Sequence, residues 1–209
     1  MATHPLASPP NVTTLIASED PEAPTPGPRR AFRSGLEWVA VVVVALVAAV
    51  LVKTFVLQTF FIPSASMEHT LNINDRVFVN KLAYDFHAVH RGDIVVFTPT
   101  ATQRRIIGPG IDDLIKRVIG LPGETIQGIG DHIYINGKPL NEPYLSTGVV
   151  PTAGAVPLYK QKIPPDEYFL MGDNRGESKD SRYFGPVRRS QIVGRAFVRV
   201  WPLSRFGFI

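Results

Sequence analysis

The sequence predicts a mainly β protein in which a single N-terminal transmembrane helix precedes an all-β domain of barrel-like packed sheets. The helix is indicated by fifteen residues without a polar side chain, from Trp38 to Val52. The sheets are indicated by short β-branched and aromatic segments that glycine and proline separate throughout the rest of the chain. No helix longer than two turns is evident after residue 54.

Residues 1–33 are expected to form a disordered cytoplasmic tail. Seven of the first 28 residues are proline, and no apolar periodicity accompanies them. Such a segment buries too little apolar surface to offset the entropy lost on ordering. About 150 residues remain after the tail and helix, which is enough for one sizeable core.

Residues 34–54 are predicted to be the transmembrane anchor. Arg29, Arg30 and Arg33 precede the apolar run, which places the N-terminus in the cytoplasm and the following domain outside. Lys53 can extend toward the headgroups, so the run reaches the roughly 20 residues that a membrane span needs. A cleaved signal peptide is the alternative, but Val52-Lys53-Thr54 is a poor cleavage site. We therefore expect a single-pass protein of the cell membrane.

Residues 55–209 are expected to form the extracytoplasmic β catalytic domain. Asn136-Gly137 between apolar segments predicts a type I′ hairpin, and residues 99–113 and 146–165 are interpreted as long loops. The predicted strands are Arg76–Asn80, Asp93–Thr98, Leu114–Ile119, Thr125–Ile129, His132–Ile135, Tyr168–Met171 and Val193–Trp201.

Composition excludes several functions. The chain has no cysteine, which removes disulfides, thiolate catalysis and cysteine-based zinc sites. The net charge is +4, yet no run of lysine and arginine is present, so no nucleic-acid partner is expected. Of the histidines, His87 and His90 flank one loop, but two ligands without a third do not predict a metal.

Ser66 and Lys116 are the candidates for nucleophilic chemistry. A serine hydroxyl needs a neighbouring base to take its proton. In the predicted strand Leu114–Ile119, Lys116 shares a face with Leu114 and Val118, and desolvation among apolar neighbours lowers the pKa of a lysine. A lysine extended at a sheet edge is the alternative. His69, three residues after Ser66, is another candidate base.

Four motifs in order strengthen the interpretation of Ser66 and Lys116 as nucleophile and base. The motifs are Pro63-Ser64-Ala65-Ser66-Met67, Arg91-Gly92-Asp93-Ile94-Val95-Val96-Phe97, Lys116-Arg117-Val118-Ile119-Gly120-Leu121-Pro122-Gly123, and Gly172-Asp173-Asn174-Arg175 continuing through Ser178, Asp180, Ser181 and Arg182. With this ordered series, the chain resembles the bacterial type I signal peptidases from the anchor to about Trp201.

The resemblance implies a role for each matching position. Ser66 is the implied nucleophile and Lys116 the implied general base. The Ser64 hydroxyl and the Ser66 backbone N–H are the implied oxyanion hole. Ser178 is expected to orient the lysine amine, and Met67 to line the substrate groove. A supporting ion pair behind the site is expected between Asp180 and Arg182.

The chain departs from the usual family pattern at three places. Ala65 stands where glycine is common, His69 stands where proline is frequent, and Gly176-Glu177 replaces the commoner Asp-Asn. The second departure leaves open an accessory role for His69. None of the three removes an implied catalytic group.

The resemblance further implies a membrane-anchored serine endopeptidase that cleaves signal peptides from exported preproteins. The sequence gives no sign of an oligomer, so a monomer is expected. The expected partners are preprotein signal peptides and the lipid bilayer, and no metal or organic cofactor is expected. Two alternatives stay open at this point. One is a Ser-Lys self-cleaving protease, and the other is a catalytically inactive anchored domain that binds peptides.

Overall fold

The computed structural model describes residues 28–51 and 56–209. The first range forms helix α1, Pro28–Leu51, whose side chains from Glu37 to Val50 are exposed. Within the two described ranges, no helix combines the length and the apolar composition that crossing a membrane requires. Residues 1–27 of the predicted tail and 52–54 of the predicted anchor lie outside the described residues, and the anchor stays a prediction.

Residues 56–209 are mainly β, as predicted. Four 3₁₀ turns, Ala65–Met67, Arg175–Glu177, Arg189–Gln191 and Leu203–Arg205, lie between the regular elements. The strands and helices are β1 Leu57–Phe61, β2 Arg76–Asn80, α2 Ala83–Phe86, β3 Ile94–Phe97, α3 Ala101–Ile107, β4 Leu114–Gly120, β5 Thr125–Ile129, β6 His132–Ile135, β7 Lys138–Pro139, β8 Gln161–Lys162, β9 Glu167–Met171, α4 Ser181–Phe184, β10 Val187–Arg188, β11 Ile192–Trp201 and β12 Gly207–Phe208.

The strands form two antiparallel sheets. The larger sheet has the order β1-β2-β11-β3-β4-β9-β10, with β12 added to β11, and it curls into half a barrel. The smaller sheet has the order β7-β6-β5-β8. At its hairpin, Asn136 and Gly137 have φ of 51° and 77°, the left-handed conformations that a type I′ turn requires.

Both predicted long loops contain regular structure. Residues 99–113 include α3, which begins with a capping box: the Thr100 side chain accepts from the Gln103 backbone, and the Gln103 side chain accepts from the Thr100 backbone. Residues 146–165 include β8, which pairs with β5 at Thr125 and Ile126. The loop interpretation was wrong for residues 101–107 and 161–162 and right for the rest of the two segments.

Strand β4 is an internal strand of the larger sheet, between β3 and β9. Every residue after Leu114 is buried, because all three hydrophobic clusters meet this strand. Ile115 belongs to the first cluster, Val118 to the second and Ile119 to the third. A side chain that β4 directs toward the site is therefore held by packing on both faces of the sheet.

Candidate active site

Ser66 lies in the 3₁₀ turn that follows β1. Buried Ile62 fixes the chain before this turn, since its N–H donates to Asp75 O at 2.9 Å. The turn closes when Glu68 N donates to Ala65 O at 2.9 Å. Ser66 is buried as a result, and its hydroxyl is directed at the central strand of the sheet rather than at solvent.

Lys116 reaches that hydroxyl from β4. Its Nζ donates to Ser66 Oγ at 2.6 Å and to Ile115 O at 3.0 Å. The residue is 2% exposed, so it does not lie at a solvated sheet edge. A serine and a lysine 50 positions apart in the chain thus form a buried, directly bonded pair.

Burial lowers the pKa of Lys116 from its ordinary value to about 8. The carboxylates of Asp180 and Asp173 act in the opposite direction, and the guanidinium of Arg182 acts with burial. The amine is therefore neutral in a large fraction of molecules near pH 8. A neutral amine at 2.6 Å accepts the proton of an attacking hydroxyl, which is general-base chemistry.

The segment after β9 encloses the pair from the other side. A Cβ placed on Gly172 would lie 2.3 Å from Ser66 O and 2.4 Å from Ser178 Oγ, so only glycine fits. Asn174 N donates to Ser66 O at 3.2 Å. Ser178 Oγ is buried and has no hydrogen-bond partner within the described part of the chain, so the contact with the lysine amine that the resemblance implies stays a prediction.

Asp180 and Arg182 form a buried ion pair behind this segment. Two contacts of 2.8 Å join them, from Arg182 Nε to Asp180 Oδ1 and from Nη2 to Oδ2. Asp180 Oδ2 also accepts from Gly172 N at 3.1 Å. Arg182 Nη2 donates to Arg175 O at 2.7 Å. Asp180 therefore holds the backbone at Gly172, and Arg182 holds it at Arg175.

Two cavities meet at Ser64, Ser66 and Lys116. The first, of about 100 Å³, lies between Phe60–Ser64 and Asp113–Lys116 and is mainly apolar. The second, of about 390 Å³, extends toward Gly176–Lys179. Ser64 is exposed, and its Oγ lies 3.4 Å from Ser66 Oγ. Ser66 therefore borders both cavities, although it is itself buried.

Two residues singled out from the sequence lie elsewhere. Met67 is completely buried in the first hydrophobic cluster, and it lines neither of the two cavities; its contact with substrate stays a prediction. His69 is exposed, with φ of 76°. Proline cannot adopt that angle, which accounts physically for the departure from the family pattern here. Among the described residues, no group of His, Cys, Asp and Glu is arranged to hold a metal ion.

Gly172 and Asn174 are site residues to which the sequence interpretation assigned no role. Asn174 contributes both its backbone N–H and its side chain, because Nδ2 donates to Ala65 O at 3.2 Å. Two signals for Gly172 were present in the sequence: it opens the fourth motif, and it is a glycine directly after a strand, which is typical of close backbone approach. Both residues contact the turn that carries Ser66.

Comparison with known proteins identifies the family. The family model described as "Signal peptidase, peptidase S26" matches residues 35–201. Signal peptidase I of Leptolyngbya laminosa is 42% identical over 176 residues, covering 82% of each chain. Signal peptidase IB of Staphylococcus aureus strain MRSA252 is 36% identical, over 83% of this chain and 93% of its own.

A crystal structure of a signal peptidase I from Enterococcus faecalis V583 also matches, with 31% identity and a TM-score of 0.41, over 52% of this chain and 97% of the other. The family assignment depends on the family model and the two sequence relatives. The chain belongs to the signal peptidase family, peptidase S26, and is a serine endopeptidase.

Proposed function

We propose that this endopeptidase removes N-terminal signal peptides from exported preproteins, with Ser66 as nucleophile and Lys116 as general base. The observation that carries the proposal is the 2.6 Å contact between Lys116 Nζ and Ser66 Oγ inside the protein. It is supported by burial, which lowers the pKa of Lys116 to about 8 and so supplies a neutral amine.

The proposed reaction proceeds through an acyl-enzyme. Ser66 Oγ attacks the scissile carbonyl carbon while its proton passes to Lys116 Nζ. The Ser64 hydroxyl and the Ser66 N–H donate to the resulting oxyanion, a contribution of typically about 3–4 kcal/mol per donor. Lys116 then gives the proton to the leaving amine. A water molecule attacks the ester with Lys116 again as base, and Ser66 recovers its proton.

The substrate is proposed to bind as an extended strand beside β4. In the described part of the chain, β9 pairs with β4 only from Arg117 onward, so Leu114–Lys116 have a free edge on that side. An added strand gains main-chain hydrogen bonds there, and its alternate side chains enter adjacent pockets. The adjoining cavity of about 100 Å³ has room for small side chains such as alanine.

Membrane anchoring is proposed for residues 34–54, of which 34–51 lie in α1. Between Trp38 and Val50 the side chains of this segment are apolar and exposed. The β domain exposes further large apolar side chains near its C-terminus, namely Trp201, Leu203, Phe206 and Phe208. Where such side chains form an exposed apolar patch, a membrane or protein contact is typical. Anchoring would raise the local concentration of membrane-inserted substrates.

The test is cleavage of a purified preprotein by the full-length chain in detergent or vesicles. Wild type is expected to release a product that begins at the mature N-terminus, as N-terminal sequencing would show. Ser66→Ala and Lys116→Ala are each expected to abolish turnover while the thermal melt stays cooperative. Equal cleavage by wild type and Lys116→Ala at neutral pH would reject the dyad. Loss of turnover in His69→Ala, with stability unchanged, would support a Ser-His mechanism instead.

A further inference from the structure

We propose that Glu142 is a positioning residue of the active site, which acts through Arg175 to hold the backbone of Gly172–Ser178 against Ser66. The proposal rests on the proposed Ser66–Lys116 function and adds a residue that lies outside the motifs of the site. Glu142 belongs to the segment between β7 and β8, 33 positions before its partner.

The carboxylate of Glu142 is enclosed and fully engaged. Its side chain is 3% exposed and that of Arg175 is 0% exposed. Arg175 Nη1 donates to Glu142 Oε2 at 3.1 Å, and Nη2 forms a second, closer contact with Oε1. Tyr144 Oη donates to the same Oε1 at 2.6 Å. This two-pronged geometry fixes the plane of the guanidinium as well as its position.

The fixed guanidinium in turn holds the catalytic segment. Arg175 Nε donates to Gly172 O at 3.0 Å, while Gly172 N donates to Asp180 at 3.1 Å. Both backbone groups of Gly172 are thus bonded to charged side chains. Since Gly172 contacts Ser66 O so closely that no Cβ fits, a shift of this peptide moves the nucleophile or opens a gap beside it.

Glu142 is the carboxylate that balances Arg175 in this arrangement. The nearby carboxylate of Asp173 is already engaged by Arg117, at 2.8 Å and 2.7 Å. A buried guanidinium without its partner is costly, so Arg175 would reorient toward water or another acceptor. Its bond to Gly172 O would then be lost. Misplacement of reacting groups by about 1 Å costs about a hundredfold in rate.

The test is Glu142→Gln, which keeps size and removes charge. We expect kcat to fall by about tenfold to a hundredfold. We expect KM to be unchanged, because Glu142 does not line the cavity beside the proposed substrate edge at Leu114–Lys116. The control is Glu124→Gln, which breaks a two-pronged but less buried ion pair with Arg91, at 2.6 Å and 2.8 Å. The control is expected to keep the kcat of wild type.

The pH profile separates positioning from simple stabilisation. Burial is what lowers the pKa of Lys116. A loosened segment admits water and moves the acidic limb of kcat/KM to higher pH. Wild type and Glu142→Gln have the same charged groups facing Lys116, namely Asp173, Asp180 and Arg182. If the role of Glu142 is purely structural, Glu142→Gln lowers the melting temperature. Measured at 15 °C below that temperature, kcat and the acidic limb of kcat/KM would then equal those of wild type.

That last result would overturn the proposal. If Glu142→Gln does not fold, Tyr144→Phe decides, since it removes only the hydroxyl bonded to Glu142 and keeps the ring that lies 4.1 Å from Arg117. Tyr144→Phe is expected to lower kcat by a smaller factor than Glu142→Gln, and an unchanged kcat would refute the proposal. Failure of the dyad itself would appear separately, as activity that survives Lys116→Ala.

Discussion

Replacing Gly172 by alanine tests whether the close packing around Ser66 is needed for catalysis. The added Cβ would lie 2.3 Å from Ser66 O and 2.4 Å from Ser178 Oγ, whereas real Cβ contacts stay above 3.0 Å. The segment must therefore move away from the nucleophile by about 0.7 Å or more, which is a large fraction of the displacement that costs about a hundredfold in rate. Crowding of this kind destabilises a core by about 1–3 kcal/mol, so the domain stays folded.

The assay is single-turnover acylation of Gly172→Ala, measured beside a thermal melt. We expect the acylation rate to fall by about tenfold to a hundredfold. The matched control is Gly176→Ala, four residues along the same segment, where an added Cβ has no heavy atom within 4 Å. An acylation rate for Gly172→Ala within twofold of wild type would refute the packing argument.

Three further predictions concern charge. kcat/KM is expected to rise with pH and to reach half of its plateau near pH 8, because only neutral Lys116 accepts the proton. Initial rates from pH 6 to 10 check this, and a flat profile would contradict it. Lys116→Met is expected to be inactive yet more stable at pH 7 by roughly 3 kcal/mol, from about 1.4 kcal/mol per pKa unit. Burial makes charged Lys116 costly, and its pKa is about 8 in the folded protein. The free energy of unfolding of wild type is therefore expected to rise as pH increases from 8 toward 10.5. Urea unfolding at pH 7 and pH 10 should show the stability difference between Lys116→Met and wild type shrinking. Asp180→Asn is expected to lower the free energy of unfolding by about 3–5 kcal/mol, because it leaves Arg182 buried and unpaired. Glu167→Gln, at an exposed ion pair, is expected to change it by less than about 1 kcal/mol in the same denaturation assay.

Strands with strong local signals could be predicted from the sequence to the residue. Segments β2, β5 and β6 have the predicted bounds, since β-branched residues alternate there and turn residues end each run. Helix α3 was missed, although Thr100 and Gln103 stand three apart in the pattern of a capping box. Its seven residues are too few for a clear apolar period, so this cap is the one local signal that indicated it.

The site was less accessible to sequence reasoning. Ser66 and Lys116 could be paired through the ordered motifs, which carry long-range information that periodicity lacks. The full burial of Met67 follows from the direction of one 3₁₀ turn, which no motif specifies. Glu142 and Arg175 meet only because two sheets bring distant segments together, so their ion pair had no signature in either segment. Contacts set by tertiary packing were therefore the part that could not be predicted.

The position of β4 inside the larger sheet determines how the enzyme should lose activity on heating. Buried internal strands open only at high free energy, whereas edge strands and termini fray at much lower free energy. β4 lies between β3 and β9, and Lys116 pairs with Val95 of β3. The proposed general base is therefore carried by a buried internal strand rather than by a peripheral loop. Inactivation and global melting are consequently expected to coincide, and a protease that nicks the surface loops should leave the catalytic amine shielded until the sheet itself comes apart.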